Sequence, residues 1–328
     1  MGTLLVLAVA MLGATSSASG ATGSTLTVVS NTQISTFNPF ISFSDGELDL
    51  IGNVYPALTT VNEKGEAAPY LATSWKTSQD GLTWTFAIHS GLKWTDGQPI
   101  TANDAAWTFN LIMTNKVAAT SNGSLVSNFA SVSAPNDTTL IIKTKKPQSN
   151  MLYVSVPVSG IAIVPEHIWK SKVANLKAFT NMDFPVVGYG PWILTGNVTN
   201  QYATMTANKD FFMGAPKFDT LISRYFTSSD ASAAALKSGE LTQNGGITST
   251  QYLALKNEKN VKTYQTEPNS WKAIEINSGA KTQSGKPMGT GNPLLADPVV
   301  RRAIALAIDR KPLVAKVADG LAQTGAGY

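Results

Sequence analysis

The sequence predicts a mixed chain, α/β or α+β, split into two or more domains. Three observations carry that prediction. At 328 residues the chain exceeds the roughly 250–300 over which one hydrophobic core keeps growing. Its hydrophobic share, 43%, is ample for packed cores. Period-two runs that suit strands are mixed with period-3.6 runs that suit helices. They lack the strict βαβ rhythm of an eight-unit barrel.

The elements follow in order. "TLTVVS" at 25–30 alternates and is β-branched, so it reads as a strand. "NTQISTFNPF" is a loop with an Asn38-Pro39 turn. Residues 45–58 place Leu48, Ile51, Val54 and Tyr55 on one helical face. "VNEKGEAAP" is a hairpin-like connection, and two strands flank the Ser78-Gln79-Asp80-Gly81 turn. In the second of these, Leu82, Trp84, Phe86 and Ile88 alternate with Thr83, Thr85, Ala87 and His89, giving one buried and one wet face. Asp96-Gly97 is a turn dipeptide. Thr101 with Asp104 forms a capping-box variant ahead of a helix carrying Ala105, Ala106, Phe109, Ile112 and Met113 on one side. Residues 130–146 form a hairpin turning at Pro135-Asn136-Asp137. "PWILTG" and "YATMTAN" are strands, and "SDASAAALKSGEL" is a helix stopped by Gly239. "WKAIEIN" at 271–277 alternates as a strand. "DPVVRRAIALAIDRKPL" is a helix with Asp297 as N-cap and Pro298 at its first position.

Composition removes several function classes. There is no cysteine, so disulfides, thiolate metal sites and a Cys nucleophile are excluded. The net charge of +4 is mild. The densest cluster, Lys143, Lys145 and Lys146, has no interleaved aromatics, so nucleic acid is not an expected partner. The N-terminus has an apolar run, Leu4 to Leu12, followed by small residues at Ser16-Ser17-Ala18 and Ala18-Ser19-Gly20. This is the pattern of a secretory signal peptide over 1–23, although no charged residue precedes Asp45. The run is shorter than the ~20 residues a membrane helix needs, and no later segment reads as transmembrane.

Reactive constellations are scarce. The two histidines, His89 and His167, have no metal-ligand spacing. His89 falls on the wet face of its strand. His167 is the one residue on which a secreted hydrolase could be built, but no G-x-S-x-G elbow supplies a nucleophile. Gly188-Tyr189-Gly190-Pro191 leads into a strand rather than a helix, so it is a tight turn and not a phosphate loop. Asp45, Glu47 and Asp49 are close enough for general acids or a cation site, but read first as solvated carboxylates near a helix N-terminus. Asn122, Asn136 and Asn197 each open an N-x-S/T triplet, which chance explains in an Asn/Thr-rich chain. Trp75, Trp84, Trp94 and Trp107 are expected in a core, whereas Trp271, which follows a long polar stretch, reads either as a core residue or as a ligand-facing one at an inter-domain crossing.

The stretch "APYLATSWKTSQDGLTWTFAIHSGLKWTDGQPITANDAAWTF" closely resembles the signature of the peptide-type, family 5 extracytoplasmic solute-binding proteins of ABC importers. Leu71, Ala72, Ser74, Trp75, Asp80, Gly81, Thr85, Phe86, Gly91, Lys93, Asp96, Gly97, Thr101, Ala102 and Asp104 stand where that pattern needs them. "VVGYGPWIL", "ANKDFFMGAPKFDTLISRYF", "ALKSGEL" and "DPVVRRAIALAIDRKPLV" resemble further motifs of the family in the right order. Trp192 and Phe212 replace Tyr, and Thr242-Gln243-Asn244 stands where many relatives carry Asp.

The resemblance implies an α/β, two-lobed, type II periplasmic-binding-protein-like fold with a small inserted domain, truncated in the second lobe. It implies a first lobe from 24–55 and 186–268, a small domain over 56–185 and a second lobe opening at 269–328. Asp80 to Phe109 is then scaffold. The implied function is capture of a di- or oligopeptide between the lobes, with no chemistry and no cofactor, and delivery by a monomer to ABC permease subunits outside the cytoplasm. An oligosaccharide, opine-like compound or nickel complex is the alternative cargo, and a hydrolase using His167 the alternative of another class. A lipid anchor is not expected, since no lipobox cysteine exists. Asn31, Phe43, Ser44, Asn244, Asn269 and Trp271 are the expected ligand-facing residues, at strand ends or loops.

Overall fold

A computed structural model describes residues 23–30, 32–265, 273–282, 284–289 and 291–324. The expected signal peptide at 1–23 lies outside these, apart from Gly23. The chain divides into two compact units, one of 1–26 with 34–223 and one of 27–33 with 224–328. The order of elements is β1 (Thr25–Ser30), α1 (Asp45–Val54), β2 (Thr59–Val61), β3 (Ala67–Pro69), β4 (Ala72–Thr77), β5 (Thr83–Ile88), α2 (Ala102–Thr114), α3 (Ala119–Asn122), β6 (Phe129–Asn136), β7 (Thr139–Thr144), α4 (Glu166–Trp169), β8 (Trp192–Val198), β9 (Tyr202–Ala207), β10 (Thr220–Tyr225), α5 (Ser229–Ser238), α6 (Ser249–Leu255), α7 (Pro298–Ala307) and α8 (Arg310–Val317). One sheet has the order β1-β10-β9-β8, a second β4-β5-β7-β6, and β2 pairs with β3. Among the described residues no helix is long and apolar enough to cross a membrane.

In the first unit the β4-β5-β7-β6 sheet grows from local hairpins. Asp80 accepts from Leu82 N–H at 3.0 Å, and Gly81 takes φ +70°, which closes the β4–β5 turn. The register pairs Phe86 with Leu140 and Trp84 with Ile142. Phe86, Ile88, Leu140, Ile142 and Val132 are buried on one face. Helix α2 starts with a complete capping box: Thr101 Oγ1 accepts from the first turn while Asp104 accepts from Thr101 N–H. Its buried stripe, with Ala105, Ala106, Phe109 and Ile112, covers the sheet. Of the four tryptophans expected here, Trp94 is fully buried, and Trp75, Trp84 and Trp107 are half-buried. His89 also departs from expectation. It is half-buried, with its ring edge-on to Phe212 at 4.9 Å, because β5 ends at Ile88 and the period-two alternation ends with it.

A second apolar centre surrounds Trp169. Its ring meets Phe40 at 5.2 Å, Phe179 at 5.1 Å and Tyr55 at 6.4 Å, all edge-on. The Gly188-Tyr189-Gly190 segment is not a free turn between strands. It runs against the C-terminus of α1, where Tyr189 and Gly190 N–H groups donate to Val54 O at 2.9 and 2.7 Å and satisfy a carbonyl that the helix leaves open. A Cβ at Gly190 would stand 1.9 Å from Asn53 O, and one at Gly188 2.4 Å from Val54 O. Because the obstacle is backbone, Gly190→Ala is expected to cost at least the roughly 1–3 kcal/mol of an overpacked core. A chemical denaturation curve measures this; an unchanged midpoint would contradict the close approach.

In the second unit α5 is capped by Ser228 and stopped by Gly239 at φ +83°. The Gln251 side chain completes a capping box on α6. Two expectations fail here. Ala273–Asn277 form no strand among the described residues, and Ile274 is 72% exposed. Alternation supplies a face but not a hydrogen-bonding neighbour, and among the described residues no strand pairs with this segment; Trp271 and Lys272, the start of the expected strand, lie outside them. The last helix breaks at Ile308, where Asp309 caps a second helix by accepting from Lys311 N–H at 3.1 Å. An Asp mid-pattern competes for the backbone in this way.

Candidate ligand-binding site

Within the second unit, the chain returns to β1 after α5. Thr242 and Gln243 N–H groups donate to Thr27 O at 2.9 and 3.1 Å, and Thr27 N–H donates to Thr242 Oγ1 at 3.1 Å. Val28 and Gln243 form a parallel bridge. Asn244 therefore opens a loop at the C-terminal side of a parallel pairing, where open α/β sheets hold ligands. Its side chain shapes that loop, donating to Ser232 Oγ at 3.0 Å and accepting from Gly246 N–H at 2.9 Å.

Phe43 and Ser44 belong to the first unit and adjoin each other before α1. Phe43 is 64% exposed. Ser44 is the N-cap, its hydroxyl accepting from Glu47 N–H. The loop that leads to them is tightly held. Asn38, fully buried, donates to Leu176 O and Phe179 O, and Phe37 N–H donates to Thr180 O. Asn31, Asn269 and Trp271 lie outside the described residues. Of the three expected residues that are described, Phe43 and Ser44 share one unit and one loop, and Asn244 lies in the other unit.

The acidic trio on α1 is not uniformly solvated. Glu47 is 4% exposed, and its Oε1 accepts from Ser35 N–H, Ser35 Oγ and Thr36 N–H at 2.8, 2.7 and 3.1 Å. The helical period puts Glu47 with the core face and against the incoming loop, which the residue type alone hides. Burial first, and Asp45 second, raises the Asp49 carboxyl above its ordinary range. Among the described residues no group of three or more His, Asp or Glu could hold a metal ion.

His167, the residue for a hydrolytic reading, places Nε2 2.7 Å from Asp96 Oδ2. Neighbouring Ser171 donates its hydroxyl to Ile168 O at 3.0 Å, not to the imidazole. The pair ties α4 to the Trp94–Gly97 turn, and Asp104 adds a second tie by accepting from Glu166 N–H at 3.0 Å. Burial raises the Asp104 carboxyl above 3.8, outweighing the lowering effects of its N–H donors and of His167. A carboxyl that holds its proton more tightly when folded contributes most below its unfolded value, and that contribution is lost as pH rises through the raised value. Asp104→Asn keeps one acceptor and leaves one part-buried N–H without its partner, for about 1–2 kcal/mol. The loss is expected to be larger at the acid end of a pH series than at neutrality; denaturation curves across that series measure it.

A family model for the bacterial extracellular solute-binding proteins, family 5 Middle, matches residues 66–328. The chain belongs to this family, and its α/β fold is that of the family's solved members. A Brucella ovis protein provisionally named as an ABC transporter peptide-binding protein is 32% identical over 254 residues, 77% of this chain and 45% of its own length. Oligopeptide-binding protein AppA of Bacillus subtilis is 27% identical over 299 residues, 91% of this chain and 52% of its own. The solved structure of AppA with a nonapeptide matches with a TM-score of 0.72 at 26% identity, covering 90% of this chain and 56% of that one. The crystal structure of NikZ from Campylobacter jejuni with Ni(L-His) matches with a TM-score of 0.71 at 23% identity, over 90% and 55% of the two chains, and shows the shared fold alone. The chain spans about half the length of the curated relatives it matches.

Proposed function

We propose that the protein is the extracytoplasmic capture component of an ABC importer, taking di- or oligopeptides between two lobes and delivering them to membrane permease subunits without altering them. The observation that carries this reading is the family match over 66–328 together with relatives named for peptide binding. Residues 24–55 with 186–268 form the first lobe, 56–185 the small domain, and 269–328 belong to the second lobe. In support, β1, β8, β9 and β10 all come from the first-lobe ranges, and β4, β5, β6 and β7 all come from 56–185. Asn31, Phe43, Ser44, Asn244, Asn269 and Trp271 face the ligand, which is held chiefly through its backbone. Binding both lobes favours the closed form by the difference in affinity between the two states.

Calorimetric titration with a tetrapeptide mixture, Ni(L-His) and a maltooligosaccharide tests the cargo. Saturable binding of the peptides alone is expected. Phe43→Ala is expected to weaken it while leaving the melting temperature unchanged, since that side chain is mostly exposed. Binding of the nickel complex or the sugar with none of peptide would replace the peptide reading, and turnover of the peptide would replace the binding-protein reading.

A further inference from the structure

We propose that the first unit carries a second small-ligand site, for a zwitterionic α-amino acid, in the depression beside the 3-10 turn Lys170–Asn175. This depression encloses about 390 Å³, within the roughly 300–1,000 Å³ of small-molecule sites. His167, Lys172, Phe179, Asn181 and Asp183 line it. A neighbouring depression of about 260 Å³ shares Lys172, Phe179 and Asp183. The site lies wholly in one unit and needs no lobe closure.

Its floor is preorganised. The Phe179 ring packs edge-on against buried Trp169 at 5.1 Å, and its carbonyl accepts from Asn38 Nδ2 at 2.8 Å. Asn181, 5% exposed, donates both amide hydrogens, to Phe37 O at 3.0 Å and Tyr55 Oη at 2.9 Å. Its amide oxygen has no partner among the described residues. Held by its two donated bonds in a residue that lines the depression, this acceptor is available to a donor that enters there.

The charges on the walls are also open. The Lys172 ammonium lies 4.9 Å from the centre of the Phe179 ring, yet it has no carboxylate partner among the described residues. Asp183 has no cationic partner either, and the two do not pair with each other. The contrast is with His167, which Asp96 already occupies. A ligand bearing one carboxylate and one ammonium answers both charges: Lys172 takes the carboxylate, Asp183 and the Asn181 oxygen take the ammonium, and the half-buried Phe179 ring receives an apolar side chain.

The test is calorimetric titration of the whole protein, freed of bound peptide by unfolding and refolding, with L-leucine, L-leucinamide and N-acetyl-L-leucine. Saturable binding of L-leucine is expected. Blocking either end removes one charge-assisted bond and is expected to weaken binding about tenfold or more. Lys172→Met and Asp183→Asn are expected to weaken L-leucine similarly, while tetrapeptide binding at the main site is unaffected. No saturable binding of L-leucine, equal binding of the three compounds, or unchanged L-leucine affinity in both variants would each overturn the proposal. The comparison of the three compounds needs no variant, so a folding defect in either substitution leaves it intact.

Discussion

Replacing Trp169 by alanine is expected to lower the unfolding free energy of the first unit by about 3–5 kcal/mol. The side chain is fully buried, and three aromatic rings from separate parts of the chain rest on it: Phe40, Tyr55 and Phe179. Alanine removes the indole's transfer energy and leaves a cavity whose walls are held by other bonds. Asn38 fixes the backbone on one side and Asn181 on another, so the cavity cannot collapse cheaply. A loss of that size is a large share of the ~5–15 kcal/mol typical of a folded domain. Urea denaturation measures it. Trp169→Phe is expected to cost clearly less, and a loss under about 1 kcal/mol for alanine would mean this cluster is not the packed centre described.

Glu47→Ala is the second large effect, expected at about 1–3 kcal/mol, chiefly from the buried Thr36 N–H left without an acceptor, with smaller losses at the part-buried N–H and hydroxyl bonds of exposed Ser35. Glu47→Gln retains an amide oxygen and is expected to lose much less. The distinguishing readout is hydrogen exchange at Ser35 and Thr36. Their amides are expected to exchange far faster in the alanine variant and little changed in the glutamine variant. Equal protection in both would remove Glu47 from its role. Since the same loop carries Phe43 to α1, the alanine variant is also expected to bind peptide more weakly.

What the sequence made legible was local. Strand pairs at 72–88, 129–144 and 192–207 could be read because each alternating run lies next to its own partner, with Asp80-Gly81 or Asn136 at the turn. The caps of α2 and α7 and the stop of α5 were legible for the same reason, since Thr101 and Asp297 act within three residues of themselves and Gly239 ends its own helix. What escaped depends on distant neighbours. Trp169 sits on a four-residue helix too short to show a period, and Glu47 looks like any surface carboxylate until Ser35 and Thr36 are laid against it. The alternation at 273–277 names a face and no partner. The site was less legible than the fold. Phe43 and Ser44 fall together and Asn244 reaches the end of a parallel pairing, but their choice came from family likeness to loops and strand ends, not from any chemistry the residues announce.

The pairing of β1 with β10 sets an order on how the protein is made. Ser24 and Asp219 meet across 195 residues, whereas β4 to β7 all lie within Ala72–Thr144. At a ribosomal pace of about 5–20 residues per second, the first strand leaves the exit tunnel roughly 10–40 seconds before its neighbour exists. During that interval the inner sheet has time to assemble and the first strand has no mate, so a chain in production passes through a stage with a finished middle and an open beginning. A chaperone or a translocation channel that meets the nascent chain at that stage meets β1 as a free β-strand.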